Sequence, residues 1–322
     1  MRSARLDLAL ASGALVLPTV GTIVVMRPRA GDDLSALPKD QVVVQTGFKP
    51  DHDYFTAQGY RTGEAQATVA IVCVPRAKAE ARAMMVQARD AQLIVVDGQK
   101  TDGIESLLKD CKALGLTVSE SLSKAHGKLA LVTPAPQLAQ WAAQPTEFDG
   151  FRTLPGVFSA DGPDRGSMLL AEALPAKLPS RVADLGAGWG YLSRAILARQ
   201  GVKSLDLIEA EAVALDCARA NVDDPRASFV WADATSYKSL RPWDLVVMNP
   251  PFHTGRDAEA SLGMGFIKAA HRGLVLSRQL LMVANRHLPY EPLLTSLFKQ
   301  VEVIGGDSAF RVTRAAYPIR KA

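Results

Sequence analysis

The chain has 322 residues, which is enough for two domains of ordinary size that each bury a hydrophobic core. Hydrophobic residues make up 48% of it and charged residues 22%, a composition that excludes a disordered chain, a collagen and a coiled coil. The 37 basic and 33 acidic residues give a net charge of +4, and the whole excess lies after residue 150. A charge of this size is compatible with an anionic partner but does not require one.

Three cysteines and one apolar segment bear on where the protein works. Cys73, Cys111 and Cys217 are odd in number and follow no CxxC spacing, which argues against a disulfide framework and a structural zinc site. Leu8–Met26 carries no charge and follows two arginines, the outline of a signal peptide or membrane span. Because glycines and a proline interrupt it, we predict instead a helix end, a turn and the strand Thr22–Met26 in a cytoplasmic, non-membrane protein.

Residues 1–145 alternate short β-branched runs with helical patterns, which predicts an α/β domain with a mostly parallel sheet. The predicted elements of this half are the strands Val42–Gln45, Thr68–Val74, Leu93–Asp97 and Leu129–Thr133 and the helices Ala77–Arg89 and Gly103–Leu114. No glycine cluster suited to a phosphate group follows any of these strands. From Thr133 to Gly156 the periodicity is lost and prolines and glycines accumulate, which predicts a linker with the domain boundary near residue 145.

Residues 146–322 resume the alternation of strands and helices. The predicted helices are Ser167–Leu174, Leu192–Arg199, Ala212–Asn221, Met264–Leu274 and Tyr290–Phe298. The predicted strands are Arg181–Asp184, Ser204–Glu209, Ser228–Trp231, Leu245–Met248, Gln279–Ala284, Val301–Ile304 and Phe310–Ala315. Two α/β domains of similar size in one chain indicate an ancient duplication.

The strongest local signal is the segment VADLGAGWG, an apolar strand that ends in Asp184 and turns through Gly186, Gly188 and Gly190 into a helix. Such a turn lets the backbone approach a ligand closely at the carboxyl end of a strand. A dinucleotide fingerprint needs a glycine where Tyr191 stands, which argues against an NAD-dependent dehydrogenase. Asp184 suits the cationic amino group of S-adenosylmethionine, and a plain tight turn in a sheet is the structural alternative.

Two further acids follow at the ends of the next strands. Glu209 ends the second strand about 20 residues past the glycines, where a carboxylate can bind a ribose diol. Glu211 is its nearby competitor, and either residue is also compatible with an exposed acid at a helix start. Asp233 follows the third strand, where it can accept a hydrogen bond from an adenine amino group or cap a helix.

The most informative segment is Asn249-Pro250-Pro251-Phe252 at the end of the strand that closes at residue 248. If the Asn249 oxygen and the Pro250 carbonyl each accept one hydrogen of an exocyclic amine, the nitrogen lone pair is freed for methyl transfer. The prolines hold the loop rigid, and Phe252 offers a face on which a base can stack. His253 is a further candidate for substrate contact. The structural alternative is a rigid strand-end turn with a core phenylalanine.

This NPPF segment on a GxGxG scaffold resembles the class I S-adenosylmethionine-dependent methyltransferases that modify exocyclic amines. More closely, the chain resembles the bacterial small-subunit ribosomal RNA guanine-N2 methyltransferases of the RsmC type. That resemblance rests on NPPF and on Leu154–Ser159, Asp161, Asp164, Gly166, Ser167, Val283–Asn285, Leu288–Tyr290 and Phe310–Val312. The first half resembles, through weaker local features, the noncatalytic amino-terminal domain of the same family, a degenerate methyltransferase fold.

The resemblance implies two Rossmann-like domains, a degenerate one at 1–145 and a catalytic one at 146–322 with a seven-stranded, mostly parallel sheet flanked by helices. It implies S-adenosylmethionine as cofactor and small-subunit ribosomal RNA or the assembled small subunit as partner, without a metal. The cofactor residues it implies are Asp184, Gly186, Ala187, Gly188, Gly190, Glu209, Asp233 and Ala234, with Asp164 and Ser167 as further contacts from a lid. The catalytic residues it implies are Asn249, Pro250, Pro251 and Phe252, with His253 beside them.

Two residues depart from the family pattern. Trp189 is bulky for a glycine loop, and Glu209 replaces the more common aspartate.

Two alternatives stay open at this point. One is the same chemistry on another amine, whether a large-subunit ribosomal RNA guanine, adenine N6 or a protein glutamine. The other is a noncatalytic RNA-binding or assembly factor on this fold.

Overall fold

The computed structural model describes residues 2–251 and 256–320, and the chain divides into two compact units, Met1–Pro145 and Thr146–Ala322. Within the described residues, each unit contains one seven-stranded sheet. When strands are numbered in chain order within each seven-stranded sheet, both sheets have the order 3-2-1-4-5-7-6. All pairings are parallel except those of the last strand, which runs antiparallel to both of its neighbours. The predicted fold class of two Rossmann-like domains is therefore confirmed.

The first unit combines four α-helices with its sheet. Its helices are α1 (Arg2–Ala11), α2 (Lys49–Ala57), α3 (Lys78–Gln87) and α4 (Ile104–Ala113). Its strands are β1 (Ile23–Met26), β2 (Val42–Gln45), β3 (Arg61–Thr62), β4 (Val69–Cys73), β5 (Leu93–Gln99), β6 (Leu122–Lys124) and β7 (Gly127–Val132). Alternate residues of β1 enter two different apolar clusters, Val24 in one and Ile23 with Val25 in the other, because successive side chains of a strand face opposite ways. The sheet is therefore covered on both faces.

The apolar segment at the amino terminus divides between two elements. α1 ends at Ala11, a turn follows, and β1 begins at Ile23 as a fully buried strand. None of the helices in residues 2–251 and 256–320 combines the length and the apolar character that a membrane crossing needs.

A buried ion cluster ties α1 to β5 in the first unit. Arg5 is fully buried, and its guanidinium donates to both carboxylate oxygens of Asp97, which is 1% exposed. Arg2 donates to the same carboxylate at 2.7 Å and to Asp32 at 3.0 Å. Burying charges is tolerated only when they are paired and hydrogen-bonded, and here two cations surround one anion. The Asp97 carboxylate on β5 is thus satisfied by two arginine side chains of the same unit.

Breaking this cluster is expected to destabilise the first unit. In Arg5→Ala, the Asp97 carboxylate stays buried with only Arg2 beside it, and we expect a loss of about 3 kcal/mol in the free energy of unfolding. Urea denaturation followed by circular dichroism measures it. Arg61→Ala, at an exposed guanidinium that donates to the Asp40 carbonyl, is the control and should cost less than about 0.5 kcal/mol. Equal losses in the two variants would contradict a stabilising role for the cluster.

The second unit repeats the sheet with its own helices and adds a short hairpin at its start. The hairpin is β8 (Thr146–Phe148) with β9 (Phe151–Thr153). The sheet strands are β10 (Arg181–Leu185), β11 (Ser204–Glu209), β12 (Ala227–Trp231), β13 (Trp243–Met248), β14 (Leu274–Asn285), β15 (Phe298–Gly306) and β16 (Phe310–Pro318). The helices are α5 (Arg165–Ala173), α6 (Tyr191–Leu197), α7 (Ala212–Asn221), α8 (Arg256–Gly273) and α9 (Glu291–Leu297).

The prediction of a linker from Thr133 to Gly156 was wrong in its extent. A short 3-10 helix, Pro136–Trp141, buries Leu138 completely in the core of the first unit. The β8–β9 hairpin then opens the second unit. Prolines and glycines mark tight turns as readily as flexible connections, and in this stretch they punctuate short structured pieces.

Candidate active site

The glycine turn occupies the carboxyl end of β10, an interior strand of the second sheet that lies between β11 and β13. Gly186, Gly188 and Gly190 have φ values of 75°, 56° and 92°, a region that residues with a Cβ rarely adopt. A Cβ at Gly190 would also lie 2.9 Å from Val222 Cγ2, whereas a Cβ at Gly188 would meet no atom within 4 Å. Gly190 thus serves packing against α7, and Gly188 leaves space in front of the turn.

Glu209 joins this turn to the end of β11. One of its oxygens accepts a hydrogen bond from the backbone N–H of Gly188 at 2.8 Å, and the other accepts from that of Glu211 at 2.8 Å. Burial raises the pKa of Glu209, and these backbone donors act in the opposite direction. Of the two competing acids, Glu209 is therefore the one whose carboxylate bonds to the glycine turn, while Glu211 precedes the first turn of α7.

Asp184 is buried, and only one of its two carboxylate oxygens accepts a hydrogen bond within the described structure. Its side chain is fully shielded from solvent, and one oxygen accepts from the Ser193 hydroxyl at 2.7 Å. The other oxygen is buried and has no hydrogen-bond partner in the described part of the chain. Burial, with a smaller contribution from Glu209, raises the pKa of Asp184 to about 7, against the opposing effect of Ser193. An acceptor left in this state is suited to a cationic donor that comes from outside the chain.

Asn249 stands directly beside the glycine turn. Leu185 of β10 pairs with Met248 of β13, so Asn249 leaves the sheet next to Gly186. Its amide nitrogen donates to Asp164 at 2.6 Å and to the Ser167 hydroxyl at 2.9 Å. Its oxygen is buried and has no partner among the described residues.

One cavity is lined by six of the fifteen sequence-predicted residues, together with five others. The residues that line it are Phe158, Ser159, Asp164, Ser167, Gly186, Ala187, Gly188, Trp189, Tyr191, Leu192 and Asn249. Asp184 and Glu209 are not among its lining residues, but Asp184 lies in β10 two residues before Gly186, and Glu209 accepts from the Gly188 N–H. The structure therefore brings the glycine turn, Asn249 and the start of α5 to one place.

Asp233 and Ala234 are not among the residues that line this cavity in the described structure. Asp233 follows β12, and one oxygen of its carboxylate accepts from both the backbone N–H and the hydroxyl of Thr235, at 2.8 and 2.7 Å. Ala234 is buried in the core behind it. Both residues shape the loop at the end of β12. Phe252 and His253 lie outside the described residues.

The hairpin at the start of the unit packs on Trp189, a residue of the cavity lining, and this contact was not predicted from the sequence. Trp189 is only 4% exposed and packs edge-on against Phe148 and Phe151, with ring centroids 5.5 and 5.0 Å away. Its indole N–H donates to the Phe158 carbonyl at 2.9 Å. Asn221 donates to the Trp189 carbonyl at 2.8 Å and exchanges two hydrogen bonds with the Arg152 backbone. Two phenylalanines around an Asp-Gly turn are the signal that predicts such a hairpin.

The pH dependence of stability is expected to report the state of Asp184. Because its folded-state pKa of about 7 lies above its ordinary value near 3.8, the folded protein binds this proton more tightly than the unfolded chain. Its contribution is therefore fully present below about pH 4 and is lost as the pH rises towards and through 7. The side chain of Asp184→Asn cannot ionise. The melting temperature of this variant should therefore rise relative to that of the wild type as the pH increases from 5 to 8. A difference that stays constant over this range would contradict the raised pKa.

Comparisons with known proteins agree on one family. The profile of the methyltransferase small domain family matches residues 149–314. A ribosomal RNA small subunit methyltransferase C of Sodalis glossinidius is 30% identical over 235 residues, covering 71% of this chain and 67% of that protein. Its namesake from Salmonella heidelberg is 32% identical over 251 residues, covering 74% and 73%.

A solved structure shares the fold at lower sequence identity. A 16S rRNA N2 guanine methyltransferase (RsmC) of T. thermophilus, in complex with AdoMet and guanosine, is 24% identical, with a TM-score of 0.80 over 94% of this chain and 90% of that one. The matched profile contains the glycine turn and Asn249, and the relatives align over about two thirds or more of their length. The chain therefore belongs to the methyltransferase small domain family and, within it, to the ribosomal RNA small subunit methyltransferase C proteins.

Proposed function

We propose that this chain is an S-adenosylmethionine-dependent methyltransferase that methylates the exocyclic N2 amine of a guanine in small-subunit ribosomal RNA. One observation carries the proposal beyond family membership. Asn249 holds a buried oxygen, with no partner among the described residues, beside the glycine turn. An acceptor in that position fits a planar amine that must be brought to a methyl donor on the turn.

The residues around the turn fit the cofactor. The unpartnered oxygen of Asp184 suits a cationic amino group, and the open space before Gly188 allows close approach to the backbone. We assign the cofactor to the cavity next to Gly186, Ala187 and Gly188, with Glu209 toward its ribose and Asp233 with Ala234 toward its adenine. When bound, S-adenosylmethionine supplies a methyl group on a positively charged sulfur.

Asn249 prepares the amine for this donor. The lone pair of an exocyclic guanine nitrogen is delocalised into the ring, which makes the nitrogen a poor nucleophile. By accepting one amine hydrogen, the Asn249 oxygen favours a pyramidal nitrogen whose lone pair points out of the ring, and we assign the other hydrogen to the Pro250 carbonyl. The same acceptors stabilise the positive charge that develops on the nitrogen, because they stand preorganised in a buried site.

The substrate is assigned from the chemistry of the site and from the names of the relatives, which act on ribosomal RNA of the small subunit. A guanine N2 amine reaches Asn249 only if the base leaves its stack, which costs a few kcal/mol and favours loops and partly assembled particles. We assign Phe252 to stacking on that base and His253 to a neighbouring contact. The first unit is assigned a noncatalytic role, and the location that follows from the substrate is the cytoplasm.

Replacing Asn249 tests the proposed chemistry. Labelled methyl transfer from S-adenosylmethionine to unmodified small subunits and to naked small-subunit ribosomal RNA should yield N2-methylguanosine with the wild type. In Asn249→Ala the rate should fall by about a hundredfold or more, since one preorganised acceptor is removed. Cofactor affinity, measured by equilibrium dialysis, should change by less than about threefold.

The products of the same experiment separate the alternatives. Methylation of large-subunit RNA, adenine or protein glutamine in place of small-subunit guanine would overturn the substrate and keep the chemistry. Binding of cofactor without transfer to any of these acceptors would favour a noncatalytic RNA-binding factor.

Two glycine variants distinguish a glycine that leaves space for the cofactor from one that is needed for packing within the protein. In Gly188→Ala the new methyl group meets no protein atom within 4 Å, so stability should fall only by the roughly 1 kcal/mol that a left-handed alanine costs. Its affinity for S-adenosylmethionine should fall by tenfold or more, about 1.4 kcal/mol, because the methyl group occupies the space before the turn. Gly190→Ala should instead lose more stability than Gly188→Ala, because its Cβ would contact Val222 at 2.9 Å. Equal effects of both variants on affinity and on stability would contradict this division.

A further inference from the structure

The orientation of the Asn249 amide decides whether it can accept an amine hydrogen. The oxygen and the NH2 group of a side-chain amide are similar in size, but only the oxygen accepts a hydrogen bond. Both hydrogens of the Asn249 nitrogen are used, one by Asp164 at 2.6 Å and one by the Ser167 hydroxyl at 2.9 Å. In the reverse orientation the Asn249 oxygen would face the Asp164 carboxylate, which has no hydrogen to give.

We propose that Asp164 and Ser167 are positioning residues that lock the Asn249 amide with its oxygen toward the substrate. The proposal rests on the proposed function, in which that oxygen accepts a hydrogen of the target amine. It gives Asp164 and Ser167 a different role from the cofactor contacts that the family resemblance implies. Their described hydrogen bonds go to Asn249 and to the start of α5.

The start of α5 holds Asp164 in place for this role. Asp164 is the N-cap of the helix, and the oxygen that accepts from Asn249 also accepts from the Ser167 backbone N–H at 2.9 Å. A Cβ on Gly166 would lie 3.2 Å from that same oxygen and 3.2 Å from the Phe310 ring, so a side chain there would require these neighbours to shift by a few tenths of an ångström. The carboxylate is thus fixed by a helix cap and by close packing.

The helix that carries this pair is itself anchored on the sheet. Leu170 is fully buried, and α5 packs against β14, β15, β16 and α6. Asp164 and Ser167 therefore belong to a packed helix, so the amide is oriented before any ligand arrives. Preorganisation of this kind is what makes a single acceptor effective in the reaction.

Three variants test the proposal. Asp164→Ser keeps a good helix cap but removes the carboxylate, and kcat for methyl transfer should fall about a hundredfold. Ser167→Ala removes the hydroxyl acceptor and keeps the backbone N–H, and kcat should fall about tenfold. Asp164→Asn keeps one oxygen that can accept from both donors, so it should retain kcat within about tenfold of the wild type. The dissociation constant of S-adenosylmethionine should change by less than about threefold in all three.

A matched control separates this effect from the general loss of a turn carboxylate. Asp224 accepts from the backbone N–H of Arg226 in the loop between α7 and β12, and Asp224→Ser should leave kcat unchanged. Loss of cofactor affinity in proportion to activity in Asp164→Ser and Ser167→Ala, with kcat retained at saturating cofactor, would overturn the positioning role and return both residues to cofactor binding.

A spectroscopic readout keeps the proposal independent of the RNA substrate. The side-chain NH2 signals of Asn249, identified by their absence in Asn249→Ala, should shift and exchange faster with water in Asp164→Ser and in Ser167→Ala. Unmoved signals in both variants would overturn the positioning role. If the signals shift in the variants but the wild-type protein methylates no RNA, the positioning of Asn249 is upheld and the proposed function is overturned instead. Should Asp164→Ser fail to fold, Ser167→Ala decides alone.

Discussion

The site depends on the parallel pairing of β10 with β11 on one side and β13 on the other. Leu185 is in register with Ile208 and with Met248, so all three strands end at the same level of the sheet. The chain after β10 returns through α6 to β11, whereas β13 lies on the other side of β10. A crevice forms where the strand order reverses in this way. The glycine turn, Glu209 and Asn249 meet there because of that order.

The first unit has the same strand order but a different strand edge. There Asp97 of β5 stands beside Cys73 at the end of β4, and its carboxylate is satisfied by Arg5 and Arg2. In the second unit Asp184 and Asn249 each keep a buried oxygen without a partner in the described structure. An unsatisfied buried acceptor costs free energy, and a protein retains it where an outside donor completes it. The two units therefore share one strand order but differ in whether their own side chains satisfy the acids on their strands.

Features that repeat locally along the chain were predictable from the sequence. The strand Ser204–Glu209 and the helix Ala212–Asn221 have the predicted bounds, because apolar periodicity and composition agree there. The helix Lys49–Ala57 was not predicted, since its first turn is polar and contains a proline. The strands β3 and β6, of two and three residues, are too short to show a period. Their positions follow from pairing with neighbouring strands rather than from their own residues.

The contacts that tune the site were not predictable, because they join residues far apart in sequence. The amide of Asn249 and the carboxylate of Asp164 are 85 residues apart, and no local pattern records their hydrogen bond. The sequence indicated both residues but assigned Asp164 to the cofactor. Ser193, in the first turn of α6, donates to Asp184 only because the glycine turn brings the start of this helix next to the end of β10. Tertiary geometry alone supplies such pairings.

Trp189 shows why a departure from a family pattern need not weaken a site. A large side chain in a glycine turn raises the expectation of a blocked cavity, yet this indole is 4% exposed and packs on the hairpin aromatics. Its indole N–H donates a hydrogen bond to the Phe158 carbonyl, and its backbone carbonyl accepts one from the Asn221 side chain. The turn, the hairpin and the segment before α5 are thus bound together through one residue. A change in the hairpin aromatics is therefore transmitted to the cavity through Trp189, which packs on them and lines the cavity.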